Sequence, residues 1–316
     1  MLYLQPDLIA MPALTVVFCT FKRASRLEKL VAALRAQSCS VPFEILAINN
    51  NSPDNTLEVL EHLQRQPGAQ LRVVTEMAPG IVPARNRALD ETLDRDILVF
   101  IDDDELPQPG LLQAVSHAIH EEGADCVGGP IKINFEPYGR PAWLDRELSG
   151  FLGEIDYGSS AFWIQDDSTP VWSGNVAYRM EVFRDRPDLR FDLRYNREGI
   201  GIGGGEDAMM LRALLSCGTR IRYRPDMAVL HAVEEWRLTR GYFLKLHYRA
   251  GLRQGRHQLP TYPATFLGLP PFLVTQFIRQ SVKAVGMQLR GQPGALRQGM
   301  NASHALGILM GYHSRS

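Results

Sequence analysis

Ile97-Leu98-Val99-Phe100-Ile101-Asp102-Asp103-Asp104 is the stretch on which the fold turns. Five successive apolar residues read as a short buried strand, and the run ends abruptly in three aspartates. Ligands of open parallel sheets bind beyond the carboxyl ends of the strands, so the triplet stands where a site is expected. Toward the N-terminus the same pattern recurs. Leu14 to Cys19, Phe43 to Ile48 and Leu71 to Thr75 read as strands. Helical spacing, as in Leu27, Leu30, Val31 and Leu34, predicts helices over 26–37, 54–65 and 83–93, with another over 111–121. Strand–helix alternation with short links means βαβ units, hence an α/β fold with a mainly parallel sheet covered by helices.

Toward the C-terminus the pattern loosens. Residues 130–200 are irregular and rich in aromatics, among them Trp143, Trp163 and Trp172. A glycine-rich loop, Gly199 to Gly205, opens onto Glu206-Asp207 and a helix through Leu215. Arg220 to Arg224 and a short strand lead to His231, and a helix is expected over 239–255. Two further apolar and basic segments are separated near Gly291-Gln292-Pro293-Gly294.

Composition narrows the classes. With 316 residues, 45% of them apolar, the chain excludes disorder, collagen-like repeats and a coiled coil. A net charge of −1 argues against bulk nucleic-acid binding, but the total hides a split: residues 236–316 carry eleven Lys and Arg and no Asp or Glu. That imbalance implies either a basic surface with an anionic partner or a solvated helical face. Four scattered cysteines offer no disulfide or zinc spacing, so a reducing cytoplasm is the expected location. The N-terminus shows no secretion signal, and prolines 263, 270 and 271 interrupt the most apolar late stretch.

Close-packed carboxylates repel and persist best beside a cation, and hard oxygen ligands suit Mg²⁺ or Mn²⁺ bridging to substrate phosphates. The plain alternative is an acidic turn before the helix that begins near Pro107. The glycine-rich loop matches neither a dinucleotide fingerprint nor a phosphate loop. It suits a general base delivered to a helix start, or carboxylates that only complement the helix dipole. His231 is either a structural histidine or an imidazole completing a divalent site.

Seven motifs in order resemble glycosyltransferase family 2 over about residues 14–255. They are Thr20-Phe21-Lys22-Arg23, Asn49 through Thr56, Ala84-Arg85-Asn86, Phe100 through Asp104, Ser173-Gly174-Asn175, Gly205-Glu206-Asp207 and His231. The resemblance implies a GT-A fold, a Rossmann-like mainly parallel sheet, with a helical C-terminal extension. The implied division is a catalytic domain over 1–257, with a nucleotide-binding half (12–130) and an acceptor-binding half (131–257), followed by an extension over 258–316. The implied activity is inverting transfer of a sugar from a nucleotide-sugar, with Mn²⁺ or Mg²⁺, to a saccharide or lipid-linked saccharide.

By the same resemblance Asp207 is the catalytic base, and Asp104 and His231 hold the metal. Thr20, Phe21, Arg23, Asn49, Arg85, Asp102 and Asp103 bind the donor, while Trp172, Asn175 and Glu206 face the acceptor. Asn49 stands where the family commonly has Asp to read uracil. An amide oxygen still accepts that bond, so a UDP-sugar is favoured. The QxxRW element of processive synthases is replaced by Glu235-Trp236-Arg237, which favours single addition. The basic, apolar tail suggests peripheral attachment to an anionic inner membrane face, or a cap packed on protein. The competing readings are a nucleotidyltransferase, which would want glycines after the first strand, and a non-catalytic sugar-binding module.

Overall fold

The apolar runs of the first hundred residues become the centre of one sheet. In the computed structural model of the chain the described residues are 13–198 and 201–315. The N-terminal residues read for a secretion signal, and Gly199-Ile200 of the glycine-rich loop, lie mostly or wholly outside them. Strands β1 (Leu14–Thr20), β2 (Phe43–Asn49) and β3 (Leu71–Thr75) alternate with helices α1 (Ala24–Arg35), α2 (Thr56–Gln64) and α3 (Ile81–Asp90). Then come β4 (Ile97–Ile101), the short β5 (Glu105–Pro107) and α4 (Leu111–His120). The order β3-β2-β1-β4 is parallel throughout, and every residue of β4 is buried, as a strand covered on both faces requires. Helix α3 starts at Ile81, two residues before the expected start, because Gly80 at φ 114° takes the turn and leaves Pro83 in the first helical turn, where no amide N–H is needed.

The irregular middle holds more strand than its sequence suggests. Here lie β6 (Cys126–Gly128), β7 (Ile131–Asn134), the single-turn α5 (Arg146–Ser149), β8 (Phe162–Ile164), β9 (Asn175–Arg179) and α6 (Glu181–Asp185). After them come α7 (Glu206–Ser216), β10 (Ile221–Tyr223) and β11 (Val229–Ala232). The large sheet has the order β3-β2-β1-β4-β9-β6-β10-β8. Strand β9 runs antiparallel to both its neighbours and β8 antiparallel to β10, while the other six strands share one direction. A second sheet, β5-β11-β7, sets His231 opposite Glu105 in register.

The C-terminal part is helical: α8 (Arg240–Arg253), α9 (Pro271–Leu289) and α10 (Ala295–His313). Helices α8 and α10 touch backbone to backbone. A Cβ on Gly251 would collide with the His304 carbonyl, on Gly255 with that of Ile308, on Gly307 with that of Tyr248, and on Gly311 with that of Leu252. The contacts advance together along both chains, so the two helices run parallel. Helix α9 leaves Ile278, Val282, Val285 and Leu289 exposed in one i, i+4, i+7, i+11 row. Among the described residues no helix is long and apolar enough to cross a membrane.

Candidate active site

Three elements meet at the C-terminal edge of β4 around a cavity of about 490 Å³. The turn after β4 supplies Asp102, Asp103 and Asp104, α3 supplies Arg85, and the first turn of α7 supplies Glu206 and Asp207. Arg85 joins them. One guanidinium nitrogen lies 2.7 Å from an Asp207 carboxylate oxygen and 3.1 Å from Glu206, and the other lies 3.2 Å from Asp102. Burial works against the charge of this arginine, but Asp207, Asp102 and Glu206 hold its pKa above the ordinary value. Arg85, expected to bind the donor, lines the cavity and is also the tie between the acidic turn and the start of α7.

Glu206 is nearly inaccessible, and burial followed by the neighbouring Asp207 holds its carboxyl above the usual carboxylate range. Asp207 is more open, with 22% of its side chain exposed to the cavity, so of the two it is the one a substrate can reach. Both stand at the N-terminus of an eleven-residue helix, where the macrodipole favours negative charge.

The acidic turn is itself divided. Burial, followed by the Asp104 charge, pushes the Asp103 carboxyl up to about 7. Burial opposes ionisation of Asp104 as well, but His231, Arg237 and Arg23 outweigh it and hold that carboxyl below its usual range. His231 Nε2 lies 3.7 Å from Asp104 Oδ1, beyond hydrogen-bond distance, and its buried Nδ1 has no partner among the described residues. A hard oxygen and an imidazole nitrogen facing each other across this gap fit a divalent cation. Among the described residues no third His, Cys, Asp or Glu closes the set. Arg237 reaches the same place, 3.5 Å from His231 Nε2.

Thr20, Phe21, Arg23 and Trp172 line the cavity as expected. Two expected residues do not. Asn49 is buried at the end of β2, where its side-chain oxygen accepts the Ser52 N–H at 3.1 Å. The lining residue is Asn50, whose oxygen accepts the Gly80 N–H at 2.7 Å and so fixes the turn into α3. Asn175 is fully buried and donates to the carbonyls of Pro130 and Met227 at 3.1 and 2.6 Å, tying the sheet to the loop before β11. Its polar side chain meets backbone, not an acceptor. Trp143 packs edge-on against Phe243, and Trp163 lies under Arg220 and Arg222, so neither reaches the cavity.

Other lining residues were missed. Glu105 lies buried beneath the aspartates, its carboxyl raised first by burial and then by Asp102 and Asp104. Gly174 sits there because a Cβ would stand 2.7 Å from the Glu105 carboxylate. Arg197, Trp236, Arg237 and Tyr242 close the far wall. The only sequence signal for them was their nearness to the glycine-rich loop and to His231.

The family model for Glycosyl transferase family 2 matches residues 15–186, more than half of the chain, and the chain belongs to that family. It shares the GT-A fold with solved members. A mannosyltransferase, PcManGT of Pyrobaculum calidifontis, solved with GDP-Man and Mn²⁺, superposes with a TM-score of 0.59 at 18% identity, covering 97% of this chain and 90% of that one. TarS 1-349 of S. aureus, solved with UDP-GlcNAc, gives 0.54 at 18% identity, over 78% and 68%. A GalNAc(5)-diNAcBac-PP-undecaprenol beta-1,3-glucosyltransferase of Campylobacter jejuni is 28% identical over 141 residues, 44% of this chain and 43% of that protein. The chain thus spans about half the length of the curated relatives it matches, 43% to 56%.

Proposed function

We propose that this chain is an inverting glycosyltransferase that moves a sugar from a nucleotide-sugar to the hydroxyl of a saccharide or lipid-linked saccharide. The observation that carries the reading is the single cavity in which Arg85 joins Asp207 to the Asp102–Asp104 turn. A donor lies with its diphosphate against the turn. Arg23 and Arg237 border that end, and Thr20 and Phe21 flank the nucleoside. Asp207 takes the proton of the acceptor hydroxyl as its oxygen attacks the anomeric carbon from the face opposite the leaving diphosphate. Arg85 engages one Asp207 oxygen, fixing the carboxylate while the other oxygen is left for the acceptor. Trp172 and Trp236 offer apolar faces to sugar rings.

Asp104 and His231 would hold Mn²⁺ or Mg²⁺, which when bound offsets the charge that develops on the departing diphosphate. A UDP-sugar is the donor we favour. Solved relatives carry UDP-GlcNAc in one case and GDP-Man in another, and with Asn49 turned away from the cavity the choice between them falls to the turnover experiment.

The lipid-linked acceptor draws support from the undecaprenol diphosphate in the name of the Campylobacter relative. The extension after residue 257 supports a seat on an anionic membrane surface. Its exposed apolar row on α9 runs beside Arg279, Lys283 and Arg290, and residues 236–316 contain no carboxylate side chain.

The deciding experiment is turnover of UDP- and GDP-sugars with Mn²⁺ by the full chain and by Asp207→Asn. Loss of about 10²–10⁴ in turnover with UDP binding retained is the expected result. Tight nucleotide-sugar binding with no turnover for any acceptor would instead favour a binding module.

A further inference from the structure

Beside the cavity lies a second pocket of about 370 Å³, walled on one side by residues 194–198 and 201–203 and on the other by α8 and the residues that continue it to His257. Six cationic side chains line it. Arg194 is paired with Asp192, which leaves five: Arg197, Lys245, Arg249, Arg253 and Arg256. Among the described residues none of the five lies within 4.0 Å of a carboxylate. Elsewhere arginine is used differently. Arg23, Arg72, Arg85, Arg95, Arg222 and Arg224 each engage an acidic partner. Glu198 is the one carboxylate among the described lining residues of this pocket.

Lys245, Arg249, Arg253 and Arg256 follow one another along one side of α8 and its continuation, a row of about 16 Å at 1.5 Å per residue. Like charges so arranged repel, and of the row only Arg253 feels a nearby carboxylate, Glu206, whose charge works against the effect of burial. Arg253 is the least exposed to water of the row, and burial lowers its pKa. Its guanidinium lies against Gly204 and Gly205, the two residues that lead into Glu206-Asp207.

We infer that this pocket binds the phosphate groups of the acceptor, a diphosphate or successive phosphodiesters, and so holds a sugar hydroxyl toward Asp207. The inference rests on the glycosyltransferase reading and adds the chemical class of the acceptor. Placement supports it: Arg197 and residues 201–203 belong to both pockets, so a ligand anchored among the cations extends past that strip to the catalytic carboxylate. Charge supports it too. Five cations against one carboxylate match a multiply charged phosphate group better than a single sugar carboxylate, and guanidinium forks grip phosphate oxygens in pairs.

The test uses the full chain saturated with UDP and Mn²⁺, so that the donor site cannot take the probe. Inorganic pyrophosphate is titrated calorimetrically into this complex and into Arg249→Glu and Arg253→Ala. Pyrophosphate is expected to bind the UDP-loaded chain, and each variant to weaken it about tenfold or more, the scale of one lost charge-assisted bond. UDP uptake should stay within about twofold in both variants, since a tenfold change would need about 1.4 kcal/mol. Arg249 is exposed, so its replacement does not threaten the fold even where that of Arg253 does.

Competition between pyrophosphate and UDP, or equal pyrophosphate affinity in both variants, would overturn the inference. A second arm separates acceptor from lipid headgroup by sedimentation with phosphatidylglycerol vesicles. Vesicle binding unchanged in Arg249→Glu is expected, and its loss without any change in pyrophosphate affinity would assign the cations to the membrane and overturn the inference. Failure of the chain to take up UDP at all would count against the glycosyltransferase reading itself.

Discussion

The two halves of the molecule use arginine in opposite ways. In the sheet-bearing half many guanidinium groups are paired with carboxylates, and the deepest of them, Arg85, holds three. Along α8 and the helices after it, cations project without acidic partners among the described residues, and α9 exposes an apolar row besides. A buried charge must be compensated inside the chain, because removing it from water is costly. A charge left uncompensated at the surface is available to a ligand. The first half therefore shows charges that build a site, and the second shows charges that await a partner.

That contrast can be broken most severely at Arg85. Arg85→Ala leaves Glu206 and Asp207 without their cation, and breaking a buried pair costs about 3–5 kcal/mol. Denaturant unfolding should show that loss. Arg85→Lys should recover little of it, since a single ammonium cannot replace a fork that reaches two sides. Full stability in Arg85→Ala would mean the carboxylates are compensated otherwise.

The next effect tests how the second half is attached. Gly307→Leu places a side chain against the Tyr248 carbonyl, and forcing α8 and α10 apart should cost about 1–3 kcal/mol. Limited proteolysis should then release the C-terminal helices sooner than in the parent chain. An unchanged digestion pattern would show that the close approach is not what holds them.

A smaller change sharpens the claim about an awaiting partner. Val282→Glu puts a charge in the middle of the α9 row and removes a side chain worth about 1.5–3 kcal/mol when buried. Sedimentation with phosphatidylglycerol vesicles should fall about tenfold or more, each tenfold corresponding to about 1.4 kcal/mol. The fold should not change, because Val282 is exposed. Equal vesicle binding would leave the row as a surface for another protein.

The smallest effect concerns pH. Glu206 is held above the ordinary carboxylate range in the folded chain, so the folded state keeps a proton that the unfolded state has already released. As pH rises through the ordinary glutamate pKa of about 4.3 toward the raised folded value, stability is lost. Glu206→Gln removes that loss. Its melting temperature should exceed that of the parent chain by a few degrees at neutral pH, and the difference should vanish in acid. An identical pH dependence for the two proteins would show that Arg85 offsets the burial of Glu206 completely.

Local pattern determined much of this protein. The strand at 97–101 stands where its apolar run stands, because a strand buried on both faces must be continuously apolar. The aspartates at 102–104 and the Gly-Glu-Asp start of α7 were legible for a related reason: charge abutting a buried strand or a glycine turn is conspicuous in one dimension. Tertiary structure alone decided what those charges meet. No spacing rule links Arg85 to residues more than a hundred positions away, or sets Glu105 beneath Gly174. Asn175 turned inward because buried carbonyls at Pro130 and Met227 needed a donor, a demand that exists only once the chain has folded, whereas Asn49 caps its own turn at Ser52. The glycines of α8 and α10 followed the same logic. Each is unremarkable in its own helix and becomes necessary only where two backbones touch.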